Sequence, residues 1–238
     1  MPDSCKVGVV AALEREVWPL VKDWPVHRRQ HDERWFKFFE KDGVALVCGG
    51  IGAEAARRAA EAILTLYHPA LIISAGFAGG LDASLRAGDT LIPQHVIDAD
   101  DGSRTEHAFG HGVLVSFQNV ADIKQKAKLG KAFGAQAVDM EAAAVARCAE
   151  AHGVKFLACK VISDASDSRM LPIMRFVGSD GRFYPLRLLA HVVLRPWLWG
   201  RLFRLAQDSA MAAAKLCEAL AEPKVLQHAD SEKQLLTQ

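Results

Sequence analysis

The chain has 238 residues, half of them apolar, and a formal net charge of only +1. That is enough chain for one α/β domain or two small ones, and enough apolar material for a large core. The near-neutral balance gives no general reason to expect nucleic acid as a partner, and no uncharged apolar run of about eighteen residues offers a membrane span.

Taken from the N-terminus, "KVGVVAAL" (6–13) is a valine-rich run suited to a strand covered on both faces. "EREVWPL" follows with an acidic first turn, and its helix is expected to stop at Pro19. "RWFKFFEKDGVALVCGG" reads as a hairpin turning near Asp42-Gly43, with 44–48 as a buried strand. Residues 53–68 are alanine-rich and amphipathic, and Pro69 closes the helix they predict. "ALIISAG" predicts a strand, "FAGGLDASLRAGD" a glycine-rich loop, and "TLIPQHVIDAD" a further strand. "DDGSRTEHAFGHG" reads as a mobile loop before the strand "VLVSF". A helix is expected over 137–152, then "VKFLACKVISDASD" as a strand with its exit loop. Strand–helix alternation of this kind implies a mostly parallel sheet covered by helices. The whole chain reads as one domain, with a flexible tail expected over 222–238.

Outside these elements the sequence gives little chemistry. The N-terminus "MPDSCKVGVVAAL" has no basic region before an apolar run, so no secretory signal is expected. Five scattered cysteines (5, 48, 148, 159 and 217) form no CxxC pair and read as reduced thiols of a cytoplasmic protein. The nine histidines show no metal-binding spacing.

Several polar residues fall at the carboxyl ends of predicted strands, the edge where open α/β sheets bind ligands. They are Glu16, "GGIG" (49–52), "SAGFAGG" (74–80), "VDMEAAA" (138–144) and "ISDASD" (162–167). Each has a plain reading by itself. Asp139 and Glu141 can serve a helix dipole in a first turn, the glycine loops can be tight turns, and Asp164 can be a cap or turn residue. Neither loop matches GxGxxG or a P-loop, so a dinucleotide or triphosphate is not supported. It is the combination that is specific.

In that order, "VGVVAALEREV", "GGIG", "SAGFAGGL…AGD", "VDMEAAAVA" and "KVISDASD" resemble the purine nucleoside phosphorylase superfamily, and within it the methylthioadenosine/S-adenosylhomocysteine nucleosidases. The resemblance covers residues 5–168. It implies a three-layer α/β/α fold around a twisted, mostly parallel (mixed) sheet, with a C-terminal helical extension. It implies that Met140 and Glu141 hold the ribose, that Asp164 protonates N7 of the leaving purine, and that Glu16 activates the attacking water. Ile51, Gly52, Gly76, Phe77, Ala78, Phe117, Asp139, Lys160 and Ser163 match positions lining or supporting the site. Asp139 replaces a glutamate common before the methionine, which keeps the charge and shortens the reach.

The chemistry agrees with those roles. An N-glycosidic bond breaks through an oxocarbenium-like sugar. A purine anion is a poor leaving group, so an acid must protonate it, which is typically worth roughly 10²–10⁴-fold in rate. A carboxylate beside the sugar stabilises developing positive charge, and a second can deprotonate water. No metal or organic cofactor is required, and inorganic phosphate is the one co-substrate the superfamily admits. Phosphorylases bring arginine and serine to the loop matching 74–80. Here Phe77 replaces the serine found even in nucleosidases, and Lys160 stands as the one obvious cation. Hydrolysis is therefore favoured over phosphorolysis.

Residues 181–207 depart from the nucleosidases. They contain five arginines and no acid, interleaved with leucines, Trp197, Trp199 and Phe203. The plain reading is a helix pair, kinked at Pro196, packed on the body or on a second subunit of a homodimer. The sharper reading is a basic amphipathic surface for an anionic bilayer or a lipid tail, with Arg195, Arg201, Trp197 and Trp199 facing lipid at the inner membrane. This segment is similar to the tails of hopanoid-associated phosphorylase-like proteins, whose expected substrate is adenosylhopane, an adenosine bearing a triterpenoid at its 5′ carbon. The alternatives are a general methylthioadenosine/S-adenosylhomocysteine nucleosidase, a purine nucleoside phosphorylase, and a non-catalytic nucleoside-binding or membrane-peripheral scaffold.

Overall fold

A computed structural model describes residues 5–107, 110–168, 176, 178, 181, 183–184 and 199–222. Arg195, Trp197 and the expected kink at Pro196 lie outside the described residues, as do 223–238 and the side chains of Trp199 and Arg201.

The chain begins with β1 (Val7–Ala11) and α1 (Glu14–Val21), then β2 (Val26–His31), β3 (Arg34–Lys41) and β4 (Val44–Cys48). Next come α2 (Ala53–Tyr67) and β5 (Leu71–Gly80), followed by the short strands β6 (Thr90–Leu91), β7 (His95–Asp98), β8 (Arg104–Glu106) and β9 (Val113–Ser116). The remainder is α3 (Ile123–Phe133), β10 (Ala137–Asp139), α4 (Ala142–Ala151), β11 (Lys155–Asp164) and α5 (Trp199–Ala221). The strands form one mixed sheet in the order β2-β3-β4-β1-β5-β10-β9-β7-β8, with β11 pairing β5 and β6.

Parallel pairing dominates the centre, where β1 lies between β4 and β5 and β5 also pairs with β11. Hairpins supply the antiparallel periphery. One face is covered by α1 and α5, whose Val17, Val21, Ala212, Leu216 and Leu220 pack on Val7, Val9, Leu71, Ile73, Leu157 and Cys159. The other carries α2 and α4, with Ala56, Ala59, Ile63, Val145 and Ala149 against Val10 and Ile72. Alternate residues of the central strands thus face opposite helical layers, which explains their continuous apolar character.

Five local readings need correction. The helix expected over 137–152 begins only at Ala142, because Ala137–Asp139 pairs with β9 and β5 as a strand. The strand before the glycine loop runs through it to Gly80, where β10 and β11 both find partners. α1 continues two residues past Pro19 before ending. The run "TLIPQHVIDAD" divides into β6 and β7 around Pro93, which has no N–H for a ladder. Inside the expected mobile loop, Arg104–Glu106 pairs with β7. Two elements had no sequence reading. One is β2, joined to β3 through Asp32 and Glu33, both at positive φ as a type I′ turn requires. The other is α3, capped by Asp122, whose side chain accepts the Gln125 N–H.

Candidate active site

The strand ends converge on a cleft, open to solvent, with a cavity volume of about 150 Å³. Glu16, Ile51, Gly76, Phe77, Ala78, Asp139, Met140, Glu141, Ser163 and Asp164 all line it. Residues from five separate stretches of chain therefore meet where the sequence placed them. Gly76 and Gly79, both on β5, let the side chains of the wall approach the strand. A Cβ at Gly76 would stand 3.2 Å from Glu16 Oε2, and one at Gly79 would stand 3.4 Å from Asp164 Oδ2. Glu16 and Asp164 thus flank positions three residues apart on one strand, a separation of about 10 Å along its axis.

Glu141 occupies the turn between β10 and α4. Its Oε1 accepts the Gly52 N–H at 2.8 Å, and its Oε2 accepts the Met140 N–H at 3.2 Å. Gly52 has φ +99°, where a Cβ would be strained, so glycine is what allows this N–H to be presented. Burial, followed by the repulsion of Asp139, raises the Glu141 pKa. Glu16, on the first turn of α1, is 5% exposed. Burial and then the nearby Glu141 charge raise its pKa from 4.5 to about 7.

Asp139 stands at the cleft wall with its oxygens already taken by protein donors. Oδ1 accepts the Ser116 hydroxyl at 2.6 Å, and Oδ2 accepts the Ala142 N–H at 2.9 Å and pairs with Lys160 Nζ at 2.8 Å. Ser116 Oγ in turn accepts the Ala143 N–H, so one carboxylate and one hydroxyl together cap the start of α4. Asp139 is therefore a brace for the turn that carries Met140 and Glu141. Lys160 does not line the cleft. It is buried on β11, donates to Ser74 Oγ at 3.1 Å, and stays charged because Asp139, Glu141 and Glu16 together outweigh the burial that lowers its pKa. Phe117 also lies off the cleft, packed beside Val115 and Val138, with its N–H donated to the Asp139 carbonyl.

Asp164 ends β11. Its Oδ1 accepts the Ser163 hydroxyl at 2.7 Å, and its Oδ2 pairs with the ammonium of Lys126. Lys126 is 2% exposed and also donates to the Ala165 carbonyl at 2.7 Å. Sequence reasoning missed Lys126, along with Arg15 and the wall segment Asn119–Ala121. In "DIKQKAKLGK" it looks like one of several solvated lysines, and only the 38-residue reach to Asp164 distinguishes it.

The family model of the phosphorylase superfamily matches residues 6–132 and 116–173 of this chain. The chain belongs to the phosphorylase superfamily. It is an enzyme of that superfamily, with the mixed α/β architecture shared by its members. A 5′-methylthioadenosine/S-adenosylhomocysteine nucleosidase of Staphylococcus aureus is 26% identical over 200 residues, which cover 68% of this chain and 87% of that protein. Among solved structures, the nucleosidase of the same name from Neisseria meningitidis, in complex with methylthio-immucillin-A, superposes with a TM-score of 0.68 at 20% identity, covering 91% and 97% of the two chains. The futalosine hydrolase of Helicobacter pylori gives 0.65 at 17% identity, covering 90% and 96%. At these identities the superfamily structures share the fold.

Proposed function

We propose that this enzyme cleaves the N-glycosidic bond of an adenosine derivative by hydrolysis and releases adenine. The observation that carries this reading is the placement of Asp164, Glu16 and Glu141 around one cleft, with Asp164 and Glu16 beside a single strand. The relatives that act on methylthioadenosine and S-adenosylhomocysteine support it. Asp164 is the acid toward the purine. Glu141 holds its orientation through two backbone donors and keeps further lone pairs for ribose hydroxyls and for the positive sugar of the transition state. Glu16, titrating near neutral pH, is the base for water.

Water is favoured over phosphate on electrostatic grounds. A phosphate dianion beside Glu16 would also face the carboxylate of Glu141. Lys160, the cation expected to compensate, is engaged by Asp139 and Ser74.

For the 5′ substituent we assign a pentacyclic triterpenoid, making adenosylhopane the substrate. The basic, apolar stretch 181–207 supports this, and its start lies at the cleft mouth. Ile51 donates its N–H to the Gly181 carbonyl at 2.9 Å, and Arg15 sits 5.0 Å over the Phe183 ring. Both Ile51 and Arg15 line the cleft. Further along, Phe203 of α5 is 65% exposed, whereas Ala212, Leu216 and Leu220 are buried. Phe203 thus offers an apolar side chain that the body does not bury. On this reading the enzyme is a cytoplasmic homodimer in peripheral contact with an anionic membrane through the arginines of 181–207.

The test is incubation with adenosine, methylthioadenosine and adenosylhopane, with and without phosphate, followed by mass measurement of the products. Adenine and a sugar bearing a free 1-hydroxyl are expected in phosphate-free buffer, with adenosylhopane preferred. A sugar 1-phosphate formed only with phosphate would overturn hydrolysis. Equal or better turnover of methylthioadenosine would replace the triterpenoid assignment with a general nucleosidase.

A further inference from the structure

The ammonium of Lys126 touches the carboxylate assigned as the acid, and this raises a question the acid role leaves open. In an ion pair the carboxylate is the anion, which has no proton to give. Ser163 donates its hydroxyl to the other oxygen. Where, then, is the proton that the leaving purine needs?

The surroundings of Lys126 answer it. Its side chain is almost wholly removed from water, and its partners are Asp164 Oδ2 and the Ala165 carbonyl. It stands on the first turn of α3, four residues after the Asp122 cap, where the helix dipole is positive and disfavours a cation. Burial of an ion pair is costly, and the cost increases when a ligand displaces the remaining water. The alternative is a neutral amine beside a neutral carboxylic acid, which differs from the ion pair by the transfer of one proton across one hydrogen bond. The fold has made room for this contact. A Cβ at Gly79 would lie 3.3 Å from Lys126 Cε, 3.4 Å from Lys126 Nζ and 3.4 Å from Asp164 Oδ2.

We infer that Lys126 is a positioning residue that stores the proton delivered through Asp164 to the departing purine. This rests on the nucleosidase reading above. Substrate binding dehydrates the pair, and the proton moves from Lys126 Nζ to Asp164 Oδ2. The C1′–N9 bond then breaks with its electron pair passing to the purine, while Asp164 gives that proton to N7. Water oxygen bonds to C1′ and loses a proton to Glu16. The products are neutral purine and free sugar, leaving Lys126 as the amine, Asp164 as the carboxylate and Glu16 as the acid. Solvent then returns one proton to Lys126 and removes one from Glu16.

The other charged groups lining the cleft with the pair are Glu16 and Arg15 on α1, Asp139 on β10 and Glu141 before α4, while β5 presents Gly76, Phe77, Ala78 and Gly79. The proposal is tested by the pH dependence of kcat/KM for purine release in wild-type enzyme, Lys126→Met and Lys126→Arg. With Lys126 as the proton store, Lys126→Met should move the alkaline limb to lower pH by about one unit or more, because Asp164 alone must hold the proton. Lys126→Arg keeps the ion pair but binds its proton too tightly to release it, so purine release should fall at least tenfold at every pH without a matching loss of thermal stability.

A purely structural lysine would lower the rate of Lys126→Met evenly and leave both limbs in place, which overturns the inference. Wild-type activity in Lys126→Arg overturns it also. If either variant is too unstable to purify, the other decides alone. Purine release by wild-type enzyme with unshifted limbs in Lys126→Met refutes only this inference, whereas wild-type enzyme that releases purine from no nucleoside refutes the nucleosidase reading itself.

Discussion

Gly52 and Glu141, 89 positions apart in the chain, are joined by a 2.8 Å hydrogen bond from the glycine N–H to Oε1. The bond ties the loop after β4 to the turn before α4. A carboxylate fixed in this way loses little freedom when a sugar arrives, which is the advantage of a preorganised site.

Glu141→Gln should accordingly damage binding and chemistry together. The amide can accept only through one oxygen, and its NH2 turns a donor toward either the Gly52 or the Met140 N–H. Steady-state kinetics on an adenosine derivative should show a higher KM and a kcat reduced by roughly 10²-fold. A change confined to thermal stability would return this residue to a structural role at the helix start.

Asp164→Asn should lower adenine release by roughly 10²–10⁴-fold, because the amide keeps the shape but delivers no proton. It should also cost stability, since Lys126 is left buried without its counter-charge. Breaking such a pair costs about 3 kcal/mol or more, which calorimetry should register as a Tm lower by roughly 6–12 °C in a domain of this size. Turnover must therefore be measured on folded enzyme well below that midpoint. Near-wild-type turnover would remove Asp164 from the acid role.

The raised pKa of Glu16 sets activity and stability against each other. Ionised Glu16 is the base, so kcat/KM should rise with pH through a midpoint near 7. Its folded-state value lies above the ordinary 4.5, so its contribution to stability is fully present below that ordinary value and is lost as pH rises through about 7. Removing the neighbouring charge in Glu141→Gln should shift the acid limb to lower pH. An acid limb unmoved by that substitution would mean that another group controls it.

Gly49→Ala tests the packing of α2 against the site. A Cβ there would lie 2.7 Å from Ala59 Cβ and 2.8 Å from the Ala55 carbonyl oxygen, so the helix must move outward. Overpacking of this kind costs about 1–3 kcal/mol, read as a lower Tm or urea midpoint. Because Gly52 caps the same helix, KM should rise as well.

Trp197→Ala combined with Trp199→Ala addresses the 5′ substituent. If these rings contact a triterpenoid, turnover of adenosylhopane should fall by about tenfold to a hundredfold while methylthioadenosine is spared, since one buried apolar anchor is worth roughly 1.5–3 kcal/mol. Arg195→Gln with Arg201→Gln should instead weaken sedimentation with anionic vesicles, and high salt should do the same. Equal losses on both substrates would leave the segment a role in the fold or the dimer.

The candidate site was legible in sequence because its residues stand within or near the ends of apolar strands, where a glycine or an acid breaks an otherwise oily pattern. Glu16, Gly76, Glu141 and Asp164 all announce themselves in this way. "AVDMEAAAVA" was misleading because nothing in it marks a turn, and the strand character of Ala137–Asp139 comes from partners on β9 and β5. α3 carries few apolar residues to set a helical period, yet Asp122, Gln125 and Gly134 are recognisable cap residues. The role of Asp139 also could not be read locally. Ser116 and Lys160, which hold it, come from strands on either side of it in the chain, and no spacing rule connects the three.

The central strand β5 has a mechanical consequence. It is bonded to β11 along most of its length, to β1 over its first half and to β10 at its end, so three walls of the cleft share one rail. Sliding any one wall to widen the opening would break ladders on the others. The wall segment that β5 does not anchor is residues 119–121. Amide hydrogen exchange should consequently be slowest in β5 and faster at that segment, and a bound nucleoside should slow the segment far more than the rail.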